Sequence, residues 1–228
     1  MKKALLSAVS LLLLVSCSNE KSRSSSELAA TSKHDHRGCA SHEVHEQQLR
    51  ENPELATKMQ EIENFTQNAI TNGRLVNGRI EIPVVVNVLY RTATENISLT
   101  QIQSQIDVLN KDFNALNSDF NQVPTTFSGV KANVGITFVL DAVYRKSTKK
   151  TSWGTRDAMK KSSQGGLNPT SPTTKLNLWV CTIGGGILGY AQFPGGSSAT
   201  DGVVIDSKYL GTTGTATDRK STRLNSSH

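Results

Sequence analysis

Apolar residues alternate along residues 79–90, with Ile80, Ile82, Val84, Val86, Val88 and Tyr90 on one face and Val85 and Leu89 on the other, the pattern of a strand covered on both sides. This implies a central place in a sheet. Pro83 falls early in this run, where a missing N–H is tolerated at a strand start or at a bulge. The period then lengthens: Ile102, Ile106, Leu109, Phe113 and Leu116 recur at helical spacing, behind a capping-box signature made by Ser98 and Gln101. That stripe is core, not a cofactor box. Upstream, Asn52 is a helix cap, Pro53 takes the first helical position, and Leu55, Met59, Ile62, Phe65 and Ala69 form one amphipathic helix that Gly73 and Gly78 bring to an end. A single helix between residues 38 and 78 cannot build its own core, so it must pack on the downstream part of the chain. Further strands are expected at 135–144, 175–182, 188–193 and 202–206, with helical potential around 155–161. A strand, a helix and then several strands joined by long loops define an α/β or α+β fold.

The two ends break these periods. Residues 1–17 have a basic start, an apolar run too short for a permanent span, and the sequence Leu14-Val15-Ser16-Cys17, which together read as a bacterial export signal with a lipobox. Cys17 is then a lipid anchor, and the expected location is the cell envelope or the exterior. Residues 18–36 are Ser-rich and polar, a tether with little to bury. Residues 218–228 have no apolar periodicity and read as a translated sequencing adapter, which predicts a gene interrupted at codon 217.

Charge changes little once the ends are set aside. The formal charge is +6, but Lys2, Lys3, Arg219, Lys220 and Arg223 against Asp218 account for most of it, leaving 20 basic and 18 acidic residues. Nucleic acid is therefore not an expected partner.

Glycine concentrates late, with 12 of 17 from Gly154 onward, so the second half is loop-rich and able to bring backbone close to a ligand or an edge strand. Gly184, Gly186 and Gly189 match G-x-G-x-x-G behind a strand, yet Tyr190-Ala-Gln-Phe-Pro194 comes next, where a dinucleotide fold needs a helix N-terminus. His34, His36, His42 and His45 cluster, and His42-Glu-Val-His45 has the look of H-E-x-x-H with the wrong spacing; a solvated helix start accounts for His42 and His45 better than a zinc site. Cys39, by contrast, could ligate a metal carried by the domain downstream of it. Cys181 ends an apolar strand, and after export only Cys39 is left to pair with it; a buried free thiol or a partner elsewhere is the simpler account.

Taken in order, Ile82-Pro-Val-Val-Val-Asn-Val-Leu-Tyr90, Ile102-Gln-Ser-Gln-Ile-Asp-Val-Leu-Asn110-Lys-Asp-Phe113, Leu176-Asn-Leu-Trp-Val-Cys181, Leu188-Gly-Tyr-Ala-Gln-Phe-Pro194 and Asp201-Gly-Val-Val-Ile-Asp206 resemble the pappalysin/cytophagalysin family of bacterial zinc metalloproteases, within the metzincin group. Asn87 stands where many such relatives have His. The resemblance implies the N-terminal half of a metzincin-like catalytic domain over residues 79–217, a twisted mixed sheet with two helices, preceded by a short helical pro-segment over 37–78. It implies zinc, allows calcium, and points to protein or peptide substrates, with a membrane contact through Cys17. In such relatives a zinc-binding helix with its catalytic Glu comes after the segment corresponding to 201–217, so no catalytic residue is expected in this chain before Thr217, the fragment is expected to be inactive, and an apolar sheet face is expected to be left uncovered. Cys39 resembles the pro-segment cysteine that caps zinc in latent members, with maturation around residues 73–79. Leu188, Gly189, Tyr190 and Ala191 are where a substrate strand is expected to pair. The competing expectation is a surface lipoprotein that binds without metal.

Overall fold

The computed structural model describes residues 38–71 and 80–216. Cys17, His34, His36, the tether, the maturation region at 73–79 and the adapter-like tail lie outside the described residues.

The anchor of the fold is a strand whose residues Val84 to Leu89 are all buried. The elements run β1 (Gly38–Cys39), α1 (Ser41–Glu51), α2 (Glu54–Thr71), β2 (Ile80–Tyr90), α3 (Leu99–Phe113), β3 (Ile136–Ser147), β4 (Leu176–Cys181), β5 (Ile187–Ala191) and β6 (Val203–Asp206). They form one six-stranded sheet in the order β1-β5-β6-β4-β2-β3. All neighbours are parallel except β5 and β6, which run antiparallel. This is the mixed α/β architecture expected, with three helices among the described residues. Of the two places allowed for Pro83, a strand start or a bulge, it lies close to both: β2 starts at Ile80, and the register shifts between Val84 and Val85, where β3 carries Asp141 as an extra residue.

Each face of the sheet has its own core. Val84, Val86 and Val88 pack with Ile102 and Ile106 of α3, Leu178 and Val180, while Leu89, Trp179, Cys181, Tyr190 and Val204 point the other way, onto Trp153 and Met159 and the start of α1. The period-two reading of β2 therefore sorted its side chains correctly. Stacking of α3 on the sheet is reinforced at the β3 edge, where the Asn110 side chain donates to the Phe138 carbonyl at 2.9 Å and accepts from its N–H at 2.6 Å, and Asn114 donates to the Ile136 carbonyl.

Four readings need correction. The N-terminal region holds two helices, not one, with Asn52 closing α1 and Pro53 lying in the turn before α2. The α2 stripe packs at Leu55, which is buried, and at Met59, which is half-buried, while Ile62 and Phe65 are exposed because no element covers the later turns among the described residues, and the side chain of Ala69 lies outside them. Leu116 is exposed because α3 stops at Phe113. Residues 155–161 make only a short 3-10 turn over Ala158–Lys160, since Asp157 takes a left-handed φ of 58° that a continuous helix does not allow.

Candidate functional site

The strand β5 is five residues long and has β6 as one partner. On its other side lies β1, paired in parallel with Gly38 opposite Ile187 and Cys39 opposite Gly189. The Ala40 N–H continues this contact by donating to the Gly189 carbonyl at 3.1 Å, and the Ala191 N–H donates to the Ser41 hydroxyl at 3.0 Å. Thus Cys39 and the expected pairing residues Leu188, Gly189, Tyr190 and Ala191, more than 140 positions apart in sequence, meet at one edge. Cys39 is exposed and free, with its sulfur 3.2 Å from the Ser41 hydroxyl. Gly189 is required here because a Cβ would stand 2.6 Å from the Val204 carbonyl oxygen, and this explains the last glycine of the G-x-G-x-x-G run. The run leads into a strand, so no helix N-terminus is available for a pyrophosphate, in agreement with the sequence pattern.

The helix α1 holds this edge from above. Val44 is buried, the His45 ring lies 4.6 Å from that of Phe193, and Gln48 donates to the Gln192 side chain at 3.3 Å. His45 is therefore half-buried against an aromatic ring rather than fully solvated, whereas His42 is exposed as expected. Glu51 and Arg156 are 3.6 Å apart but both well exposed, so their pairing adds little.

Beneath β5 sits a charged cluster that the sequence pattern did not single out. Tyr190 is buried and its hydroxyl donates to Asp157 Oδ1 at 2.9 Å. The same carboxylate oxygen lies 3.0 Å from Lys160 Nζ, which also donates to the Thr200 carbonyl at 2.6 Å. Lys160 is 1% exposed, with its ammonium 5.4 Å from the Trp179 ring and 5.2 Å from that of Tyr190, so the ring faces supply part of the solvation it has lost. The signal available in the sequence was Asp157 and Lys160 three apart around the apolar Ala158-Met159 pair.

Burial lowers the Lys160 ammonium below its ordinary value, with the charge and hydrogen bond of Asp157 and the charge of Asp201 opposing. Burial raises the Tyr190 phenol, Asp157 adding to the rise, and burial likewise raises the Cys181 thiol, with Asp206 and Glu95 adding. The two raised acids keep their protons in the folded chain after the unfolded chain has released them. Their contribution to stability is intact below the unfolded thiol value of 9.0 and is lost as pH climbs toward the folded values. Lys160 acts with the opposite sign between its lowered value and 10.5, where the unfolded chain binds the proton more tightly. Below pH 10 the thiol and the ammonium oppose each other; above it the phenol joins the thiol while Lys160 passes out of its window, so the urea midpoint is expected to fall between about pH 10 and about pH 11, and Cys181→Ala is expected to make that fall smaller. An unchanged profile in the variant would show that the thiol is not the group responsible.

On the α3 face, an apolar groove of about 610 Å³ borders the same edge, lined among others by Leu109, Phe113, Leu178, Leu188, Val203 and Tyr209, with Cys39 at its rim. Apart from the exposed Cys39, its lining residues are buried or half-buried, and none is among the exposed large apolar side chains. Next to it, the loop after β6 is fixed to α3. Gln101 accepts from the Thr215 N–H and hydroxyl and donates to the Leu210 carbonyl, each at 3.0 Å; Ser104 accepts from the Thr212 N–H and Gln105 from the Gly211 N–H, both at 2.9 Å. The capping box is therefore only half formed: Ser98 accepts from the Gln101 N–H, but the glutamine side chain is committed to residues 210–215.

Among the described residues, no three His, Cys, Asp or Glu side chains converge as a metal site. None of their helices is long and apolar enough to cross a membrane.

The sheet order, the antiparallel β5 and the helix under β2 define a mixed α/β fold that matches a metzincin-like catalytic domain. No family model and no curated protein matches the sequence. Among solved structures, the chain is similar to a promirolysin mutant from Tannerella forsythia, with 36% identity, a TM-score of 0.69, and coverage of 83% of this chain and 66% of that one. Mature mirolysin from the same organism, in complex with a cleaved peptide, gives 38% identity and a TM-score of 0.61 over 66% of this chain and 61% of that one. Mirolysin in complex with a compound gives 38% identity and a TM-score of 0.60 over 65% and 60%. The chain thus spans about 60–66% of the length of these structures. At this identity the likeness supports a metalloprotease relationship, and the match extends over a larger share of this chain for promirolysin than for the two mirolysin structures.

Proposed function

We propose that the chain is the N-terminal part of an exported zinc metalloendopeptidase precursor of the pappalysin/cytophagalysin type, anchored through Cys17 and acting on protein or peptide substrates. One observation carries it: the segment holding Cys39 lies as a strand on the edge of β5, where an extended substrate is expected to pair. Mature mirolysin was solved with a cleaved peptide, which supports peptides as the substrate class.

The described residues do not by themselves fit a zinc ion. Cys39 supplies one thiol and no other metal-binding side chain converges on it, so no catalytic step is assigned to residues 38–216. Their role in this reading is to present β5 to a peptide backbone while β1 keeps that edge filled. The fragment is then inactive, and residues 37–78 serve as pro-segment.

The direct test is to sequence the source locus through codon 217 and onward. The reading requires an H-E-x-x-H with a third His six residues further on; a frame that truly closes with residues 218–228 overturns it. In the complete gene product, Cys39→Ala is expected to shorten latency, giving casein hydrolysis without prior processing that a zinc chelator abolishes. Unchanged latency in that variant would remove Cys39 from the proposal while leaving the protease reading in place.

A further inference from the structure

The strand β5 has little of its own to hold it. It is short, and its ladder with β6 covers only the pairs Gly189–Ile205, Tyr190–Val204 and Ala191–Val203. Its other partner, β1, contributes two residues. Yet one side chain of β5 reaches a buried ion pair, and that pair joins three separate stretches of chain: Tyr190 on β5, Asp157 and Lys160 in the loop after β3, and Thr200 shortly before β6. Around it, Thr200 donates from its hydroxyl to Gln192 at 2.8 Å, and Gln192 donates to the Ser197 carbonyl at 3.0 Å, so the whole turn from β5 back to β6 hangs on the same cluster.

A buried ion pair is an expensive way to gain stability, because apolar side chains of similar volume serve as well or better. What charge and directed hydrogen bonds provide instead is a unique geometry, the requirement for a strand edge that must accept another backbone in one register. Asp157 adopts a left-handed backbone to reach this position, and its neighbours give it two directed partners, a phenol and an ammonium.

We infer that Asp157, Lys160 and Tyr190 are positioning residues that fix the β5 edge and the 192–200 turn against the sheet, so that a strand laid on β5 pairs in a single register. For a substrate strand this rests on the protease reading above; for β1 it does not.

The test uses the full 228-residue chain and the double variant Asp157→Asn with Lys160→Met, which removes both charges together and so leaves no orphaned ion; asparagine tolerates the left-handed backbone. The expected result is a urea midpoint unchanged or raised, with hydrogen exchange of the amides at 187–191 accelerated at least about tenfold and those of β2 and β4 unaffected. Tyr190→Phe, which keeps the ring, is expected to give the same local effect to a smaller degree. Unchanged exchange at 187–191 overturns the inference. Acceleration spread evenly over β2, β4 and β5 with a lowered midpoint also overturns it, because the cluster would then be merely structural. None of these readouts needs a peptide to be cleaved, so failure of the protease reading and failure of this inference remain distinguishable.

Discussion

Trp179→Ala is expected to lower the unfolding free energy by about 3–5 kcal/mol, enough to remove a large part of what a domain of this size has. Trp179 is fully buried in β4, between β2 and β6, and among the largest enclosed side chains. Truncation empties the core on that face, frees the Leu167 carbonyl that the indole N–H binds at 2.9 Å, and takes one aromatic face from the buried Lys160 ammonium. The surroundings are poorly placed to collapse into the gap. Gly202, whose missing Cβ leaves room for the Trp179 ring, holds a φ of 124° that few other residues adopt, and a Cβ there would also collide with the Asn177 carbonyl oxygen. Urea unfolding followed by far-ultraviolet circular dichroism measures the loss; a loss below about 1 kcal/mol would mean that the face repacks, contrary to its close packing.

Gln101→Ala is the second large effect, and its signature is local. Removing the amide strips the buried Leu210 carbonyl and the half-buried Thr215 N–H of their partner, at about 1–3 kcal/mol for a buried unsatisfied group and less for a half-buried one. A total of about 3 kcal/mol is expected. Ser104 and Gln105 continue to hold Thr212 and Gly211, so hydrogen exchange should quicken most at Thr215 and least at Gly211. Uniform acceleration along 210–215 would show that the loop opens as one unit. Gln101→Glu keeps the acceptor and loses both donor hydrogens, so it should protect Thr215 better than alanine does.

Much of this fold was legible because burial writes itself as a period. The alternation in β2 and the helical stripe of α3 state which side chains face which core, and the strands β3 to β6 fall within a few residues of their expected places. The site was legible only in part. Cys39 and residues 188–191 stand out as separate features, and nothing in local pattern says that a two-residue strand would join them, since pairing across such a separation depends on the whole sheet. Gln101 misleads for a related reason: three residues after a serine cap it has the right spacing for a local partner, but the backbone groups it satisfies lie more than 100 residues away. Lys160 and Asp157 do not stand out because a charged pair in a loop is ordinarily solvated, and only the closure of Tyr190, Trp179 and the 192–200 turn makes it a buried one.

The sheet's two borders are defended differently, and this bears on handling the protein. At β3, Asn110 and Asn114 at the end of α3 occupy backbone groups of Ile136 and Phe138, so the start of that border is held by a helix of the same core. At β5, the groups are covered by β1, held by a few backbone and side-chain bonds and by the docking of α1. Anything that strips away residues 38–51 leaves β5 paired on one side only, with its open edge beside an apolar groove, the combination that drives sheets to join edge to edge. The N-terminal helix is therefore also a shield against self-association, and material lacking it should be kept dilute or supplied with a replacement strand.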